Sequence, residues 1–174
     1  PLNSVVFGDG LFVACNFGTV FASKDGEHWT RTDYTSPYGV NSLAFGQGKF
    51  VAIGYGVVAA STNGVTWPAA KRIGNDNLAA IAYGNGVFLA VDSSGRRGIR
   101  SEDGESWEIL SFAADAGPVG GVRSIGFGNG TFLGVPWSGG ETVHASGDGR
   151  QWTSVPSPFP DTRNIGFGNE TLVA

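Results

Sequence analysis

Ser23-Lys24-Asp25-Gly26-Glu27-His28-Trp29 returns three more times along the chain. The other copies are Ser61-Thr62-Asn63-Gly64-Val65-Thr66-Trp67, Ser101-Glu102-Asp103-Gly104-Glu105-Ser106-Trp107 and Ser146-Gly147-Asp148-Gly149-Arg150-Gln151-Trp152. Their serines stand 38, 40 and 45 residues apart. A second motif keeps the same step: Phe7-Gly8-Asp9-Gly10, Phe45-Gly46-Gln47-Gly48, Tyr83-Gly84-Asn85-Gly86, Phe127-Gly128-Asn129-Gly130 and Phe167-Gly168-Asn169-Glu170. Each copy lies between two short apolar runs, such as Ser4-Val5-Val6-Phe7 and Leu11-Phe12-Val13-Ala14. Asn-Gly or Asp-Gly so placed marks a tight hairpin, whose two central residues need positive φ.

Each repeat therefore reads as four strands, A to D. In the first they are roughly Ser4–Phe7, Leu11–Cys15, Thr19–Ala22 and His28–Thr32. No stretch sustains a 3.6-residue period, so almost no helix is expected. A period near 40 with this content predicts an all-β chain, a β-propeller of four-stranded antiparallel blades. The repeats fall near residues 1–38, 39–76, 77–120 and 121–160, with a partial repeat at 161–174. The Asp-Gly step inside each seven-residue signature is the C–D turn, where the carboxylate accepts backbone N–H bonds. Calcium-binding or catalytic carboxylates are the alternative, but even spacing favours turn chemistry. Ser23, Asp25, Trp29, Ser61, Asn63, Trp67, Ser101, Asp103, Trp107, Ser146, Asp148 and Trp152 are thus read as scaffold, each tryptophan covering the edge of the neighbouring blade.

The signature resembles a shortened Asp box, Ser-x-Asp-x-Gly-x-x-Trp, of the bacterial neuraminidase (BNR, sialidase-like) repeat, with one residue missing. Together with the Phe-Gly-Asn-Gly run it resembles bacterial propeller repeats of secreted and cell-surface proteins. The resemblance spans essentially the whole chain. It implies an extracellular or cell-surface location, and it leaves activity open, because such propellers include glycosidases, assembly factors and non-catalytic binding proteins.

The 174 residues are 41% hydrophobic, enough for a core, and the 29 glycines sit at fixed repeat positions. A net charge of −4 argues against nucleic acid as a partner. No apolar run is long enough to span a membrane. Cys15, the single cysteine, falls among apolar neighbours and excludes an intrachain disulfide. No cofactor and no metal site is expected; His28 and His144 read as filler and structural residues. Four repeats and a half predict that the ring is completed by further blades, to roughly five to eight in all, or by a second chain.

Alternating strand directions put the A–B and C–D turns on one face and the B–C and D–A loops on the other. The second set varies. From the B-strand Phe to the box Ser is 11 residues in repeats one and two, 13 in repeat three and 14 in repeat four. Loops that vary on a rigid scaffold carry binding residues. That face should hold Asp92, Arg96 and Arg97 in one B–C loop and Trp137 and Glu141 in the next. The D–A connections add Tyr34, Tyr38, Lys71, Arg72, Asp76, Asp115 and Asp161. The position four residues before each Phe/Tyr-Gly reads Asn3, Asn41, Ala79, Arg123 and Arg163 and should ring the mouth of the central channel. Arg123 and Arg163 converging there would suit a carboxylate or phosphate; pairing with Asp115 and Asp161 is the other reading. Trp137, the one tryptophan outside the box signature, suits stacking on a sugar ring.

Three functions fit: a non-catalytic secreted or surface propeller that binds a glycan or protein, a sialidase-like glycoside hydrolase, and an assembly subunit. For the hydrolase the resemblance implies three arginines and a Phe/Tyr-Arg-Ile-Pro segment. Lys71-Arg72-Ile73-Gly74 lacks both the aromatic and the proline. For the assembly subunit, Arg96-Arg97-Gly98-Ile99-Arg100 is the one local basic cluster. The binding module asks least of the residues and is the expectation carried forward, without catalytic residues.

Overall fold

In the computed structural model the described residues are 2–112, 118, 121–138, 141–157, 163–168 and 171–173. The first four strands, β1 (Ser4–Gly8), β2 (Leu11–Asn16), β3 (Thr19–Ser23) and β4 (Thr30–Thr35), pair in sequence order into one antiparallel blade. A second sheet holds β5 (Ser42–Gly46), β6 (Lys49–Ile53), β7 (Tyr55–Ser61), β8 (Lys71–Gly84), β9 (Val87–Asp92), β10 (Arg97–Ser101) and β11 (Glu108–Ser111). The next four-stranded sheet is β12 (Val122–Gly128), β13 (Thr131–Pro136), β14 (Thr142–Ser146) and β15 (Thr153–Pro156), and β16 (Gly166–Gly168) with β17 (Thr171–Val173) begins another. The architecture is all-β.

The seven-stranded sheet is two blades sharing one strand. The first part of β8 pairs with β7, and the part from Leu78 to Gly84 pairs with β9. The repeat boundary at residue 76 thus lies inside a single strand, which runs on from the outer edge of one blade to the inner edge of the next. The D strand of the first repeat also differs from its expected span. It begins at Thr30 and runs on to Thr35, because His28 and Trp29 are held in the preceding turn. The innermost strands β1, β5, β8, β12 and β16 each contact the next in line.

The four described Phe/Tyr-Gly hairpins turn as their sequence requires. Asp9, Gln47, Asn85 and Asn129 have φ between 46° and 48°, and each is followed by a glycine with positive φ. The glycine before each turn serves packing instead. A Cβ on Gly8 would lie 2.2 Å from the Phe45 ring, one on Gly46 2.2 Å from Tyr83, and one on Gly84 2.0 Å from Phe127. In three successive joints, then, the inner-strand aromatic of one blade rests on the bare backbone of the blade before it.

The core lies in layers between blades. One cluster joins Val13, Val20 and Tyr34 of the first blade to Phe50, Ala59 and Trp67 of the second. Two further clusters repeat the arrangement across the next two joints, with Phe88 in one and Leu89, Phe132 and Trp152 in the other. Cys15 is fully buried in the first cluster, and burial pushes its thiol up to about 12. Tyr34, expected on the loop face, is buried instead. Alternation along β4 turns it inward, where its ring meets Trp67 edge-on at 5.3 Å.

The tryptophans expected to cover a neighbouring blade divide by position. Trp67 and Trp152 are buried, whereas Trp29 is 37% exposed. Val5 and Phe7 on β1 are likewise exposed, although the counterparts of Val5, Leu43, Ile81 and Ile125, are buried and those of Phe7, Phe45, Tyr83 and Phe127, are half-buried. Among the described residues no blade packs on that side of β1, so these side chains lack the surface that their equivalents rest on.

Loss of a large buried aromatic costs about 3–5 kcal/mol, so Trp67→Ala should lower the unfolding free energy by that much. Trp29→Ala, at a residue 37% exposed, should cost clearly less than Trp67→Ala. Urea denaturation of both variants checks this, and equal losses would contradict the dependence on the preceding blade.

Candidate functional site

The seven-residue signatures are closed hydrogen-bond cages. Ser23 Oγ donates to Asp25 Oδ1 at 3.0 Å and accepts from the Gly26 N–H at 2.9 Å. Asp25 Oδ1 also accepts from the N–H groups of Glu27 and His28. Ser61 with Asn63, Ser101 with Asp103 and Ser146 with Asp148 repeat the pattern. The indoles of Trp29, Trp67 and Trp152 donate back to the carbonyls of Gly26, Gly64 and Gly149. Trp107 packs near Phe88, ring centroids 6.4 Å apart. These donors hold Asp25 and Asp103 well below the usual carboxylate range, His28 N–H leading for the first and Ser106 N–H for the second. Among the described residues no three or more His, Cys, Asp or Glu cluster as a metal site.

Several other side chains of that face join blades. Gln47 donates to the Gly86 carbonyl, and Asn85 donates to the carbonyls of Gly130 and Gly147. Lys49 reaches Glu105 at 2.7 Å, and Arg150 makes a two-pronged pair with Glu108. Asp33 accepts the Trp67 N–H.

The opposite face, carrying the B–C and D–A loops, holds side chains with fewer obligations. Its centre is a cavity of about 530 Å³ along the inner strands. The rim at the loop end is polar, with Asn3, Ser4, Asn41, Arg123, Ser124 and Asn164. Much of this rim is structural. Asn3 donates to the Val40 carbonyl at 3.3 Å, and Asn41 donates to Asn77 Oδ1 and to the Leu78 carbonyl at 2.9 and 2.7 Å. Ser4 Oγ accepts the Leu43 N–H, and Ser124 Oγ the Ile165 N–H. The two asparagines and two serines therefore latch the first blade to the second, the second to the third, and the fourth to the strands that follow it.

Arg123 is different. It sits at the bulge where the pairing of β12 with β13 shifts register, and its guanidinium lies 5.2 Å from the centroid of the Trp137 ring. Among the described residues no carboxylate pairs with it. The structure thus brings the arginine expected at the channel mouth together with the tryptophan of the B–C loop. Arg163 is exposed and is not part of the cavity lining. Asp115 and Asp161, considered as partners for the arginines, lie outside the described residues.

The third-blade B–C loop is organised around Asp92, which is buried and accepts the N–H groups of Arg96 and Arg97. The Arg97 guanidinium reaches Asp76 at 3.5 Å, and Arg96 is exposed. Arg100 pairs with Glu102 at 3.1 Å. His28 lies against Asp25 at 2.8 Å, and His144 is buried next to Ser154.

The loop face also carries two aromatics that sequence reasoning passed over. Phe17 and Tyr55 are exposed and border a second depression with Tyr38. The missed signal was positional. Phe17, Tyr55 and Trp137 all lie five residues after the B-strand Phe, at Phe12, Phe50 and Phe132, and Ser93 takes that place in the third blade. Three of four B–C turns thus present an exposed aromatic at one repeat position.

These blades, with inner strands in chain order and the core between them, decide the fold. The chain is a β-propeller. Solved structures agree: virginiamycin B lyase from Staphylococcus aureus superposes with a TM-score of 0.76 at 13% identity, over 98% of this chain and 61% of that one. YCF48 bound to a D1 peptide gives 0.67 at 17% identity, over 99% and 60%. A chain of the nidogen–laminin complex gives 0.71 at 11%, over 98% and 70%. The propeller chain spans about 61% of the length of the lyase. No protein-family model and no curated protein matches it. At these identities the likeness is one of fold. No helix among the described residues is long and apolar enough to cross a membrane.

The lowered carboxylates fix a sign for pH. A depressed folded-state pKa stabilises the turn fully above the ordinary aspartate value of about 4, and the contribution is lost as pH falls through the lower folded value. The Asp25→Asn/Asp103→Asn double variant keeps the acceptor that Asn63 already uses in its own turn. It should melt within about 3 °C of the parent at pH 7 and unfold at lower pH on acid titration by circular dichroism.

Proposed function

We propose that this propeller is a non-catalytic binding module, extracellular or at the cell surface, that takes a glycan or protein ligand on its B–C/D–A face. The acidic group of that ligand, a carboxylate or phosphate, is received by Arg123 beside Trp137. The observation that carries this reading is an arginine with no carboxylate partner among the described residues, stacked on a half-exposed indole at the polar rim of the inner cavity. A guanidinium so placed offers a two-pronged, charge-assisted contact, and the indole holds its plane while presenting apolar surface to the rest of the ligand.

Two further points support it. Arg123 is the one charged side chain of the described cavity lining, whereas glycoside hydrolysis commonly calls on a pair of carboxyl groups. The YCF48 structure holds a D1 peptide and the nidogen structure a laminin partner, so propellers of similar fold do serve as binding platforms. Enzymes also occur among the neighbours, the lyase for one, and fold does not choose between these classes.

The test titrates the protein with an acidic peptide and with a sialylated oligosaccharide by isothermal calorimetry. A charge-assisted hydrogen bond is worth about 1.5–3 kcal/mol, so Arg123→Ala should weaken binding by about 10- to 100-fold. Trp137→Ala should weaken it as well. Failure of both probes to bind, or indifference to Arg123→Ala, would sink the proposal.

A further inference from the structure

The second blade closes its outer edge later than the others. In the first, third and fourth blades the D strand starts directly after the box tryptophan. It then pairs with the residue before the box serine: Ala22 with Thr30, Arg100 with Glu108 and Ala145 with Thr153. In the second blade Pro68 follows Trp67, β8 starts only at Lys71, and its pairing with β7 ends at Val58. A proline has no N–H to give a strand ladder. Ala59 and Ala60 therefore have no partner in β8, although both pair with β6 on their other side.

The delay also leaves a side-chain position empty. Five residues after the box tryptophan stand Tyr34 in the first blade and Phe112 in the third. Tyr34 is buried against Trp67, and Phe112 packs on the cluster that holds Trp152. The second blade has Arg72 there, and its guanidinium lies over the Tyr38 ring, held by Asn75 Oδ1. Ile73 turns into the joint in its stead, but it does not line the space next to Trp107. That space is a cavity of about 200 Å³ between the second and third blades. The second blade lines it with Val58, Ala60, Pro68 and Ala69, the third with Gly104 and Trp107. Trp107 is half-buried, and its indole N–H has no acceptor among the described residues. The other three box indoles each donate to their own glycine carbonyl.

We infer that this cavity binds a small monocyclic phenol, one aromatic ring carrying a hydroxyl group. A ring is what the first and third blades supply from their own chain at the same repeat position. The size suits one ring, since an apolar protein cavity of roughly 150 Å³ takes up benzene. The polar groups of the lining select the substituent. The Trp107 N–H and the Lys71 ammonium are donors, and the Glu105 carboxylate is an acceptor that already holds Lys49 at 2.7 Å. The hydrogen bond from Lys49, together with the charges of Lys49 and Lys71, keeps the Glu105 carboxyl below its ordinary value, so it stays ionised. A carboxylate on the ring would be repelled by Glu105, and an ammonium by Lys49 and Lys71. A hydroxyl both donates and accepts, so it is served by both kinds of group. The cavity shares no lining residue with the Arg123 rim, so either site can fail without the other.

Isothermal calorimetry with p-cresol tests the inference, with p-toluate and 4-methylbenzylamine as its charged counterparts. Saturable binding of p-cresol is expected, at least tenfold tighter than that of either counterpart. Ala60 packs against the core of this joint, so Ala60→Leu places a side chain in the space. That variant should abolish p-cresol binding and melt at or above the parent temperature, as filled cavities do. Trp107→Phe keeps a ring without the N–H and should weaken binding at least threefold. It decides the matter should circular dichroism show Ala60→Leu misfolded. Lys24→Ala, in the box turn of the first blade, should change nothing, and Ala60→Leu should leave acidic-peptide binding intact. Absence of saturable p-cresol binding would overturn the inference. So would equal affinity for a charged counterpart, or binding that neither Ala60→Leu nor Trp107→Phe weakens.

Discussion

The contact on which the structure depends is an aromatic ring laid on a glycine of the preceding blade. Phe45 rests on Gly8, Tyr83 on Gly46 and Phe127 on Gly84, each so close that a methyl group would overlap the ring. A blade has two apolar faces and cannot bury both within itself. The ring-on-glycine contact brings the inner strands together, and the box tryptophan closes the same joint further out. On the side of β1 where no blade packs among the described residues, the same residue types stand exposed. Stability is therefore a property of joints and not of single blades.

This requirement divides the two faces of the disc. The A–B and C–D turns sit where neighbouring blades approach, and their polar groups are drawn into joints and cages: Gln47, Asn85, Lys49 and Arg150 all bridge blades. Even the carboxylates of the box turns are directed at their own backbone. On the B–C and D–A face the joining is done by backbone groups and by short asparagine and serine side chains. The loops there vary in length along the chain, and the aromatics and the arginine left over are groups able to meet a ligand.

Much of this was legible in the chain because repetition labels its own causes. Four copies of Ser-x-(Asp/Asn)-Gly-x-x-Trp announce four turns, and the Asn-Gly and Asp-Gly steps announce left-handed hairpins that the backbone adopts. The same reasoning erred where a residue's surroundings come from another repeat. Tyr34 was read as a loop residue, but alternation in β4 and the arrival of Trp67 bury it. Trp29 carries the same signature as Trp67, yet among the described residues no neighbouring blade covers it. Asn3 and Asn41 line the cavity, with their amides committed to the next blade.

Sequence by itself determined the local chemistry: strand, turn and period follow from glycine, aspartate and aromatic residues at fixed intervals, because those preferences act over a few residues. Tertiary structure alone decided which side chains remain free. The stacking of Arg123 on Trp137 joins residues 14 positions apart across two strands. The cleft of Phe17, Tyr38 and Tyr55 gathers three loops of two blades. Such meetings depend on how blades tilt and dock against one another, and the pattern within any one repeat holds no record of that angle.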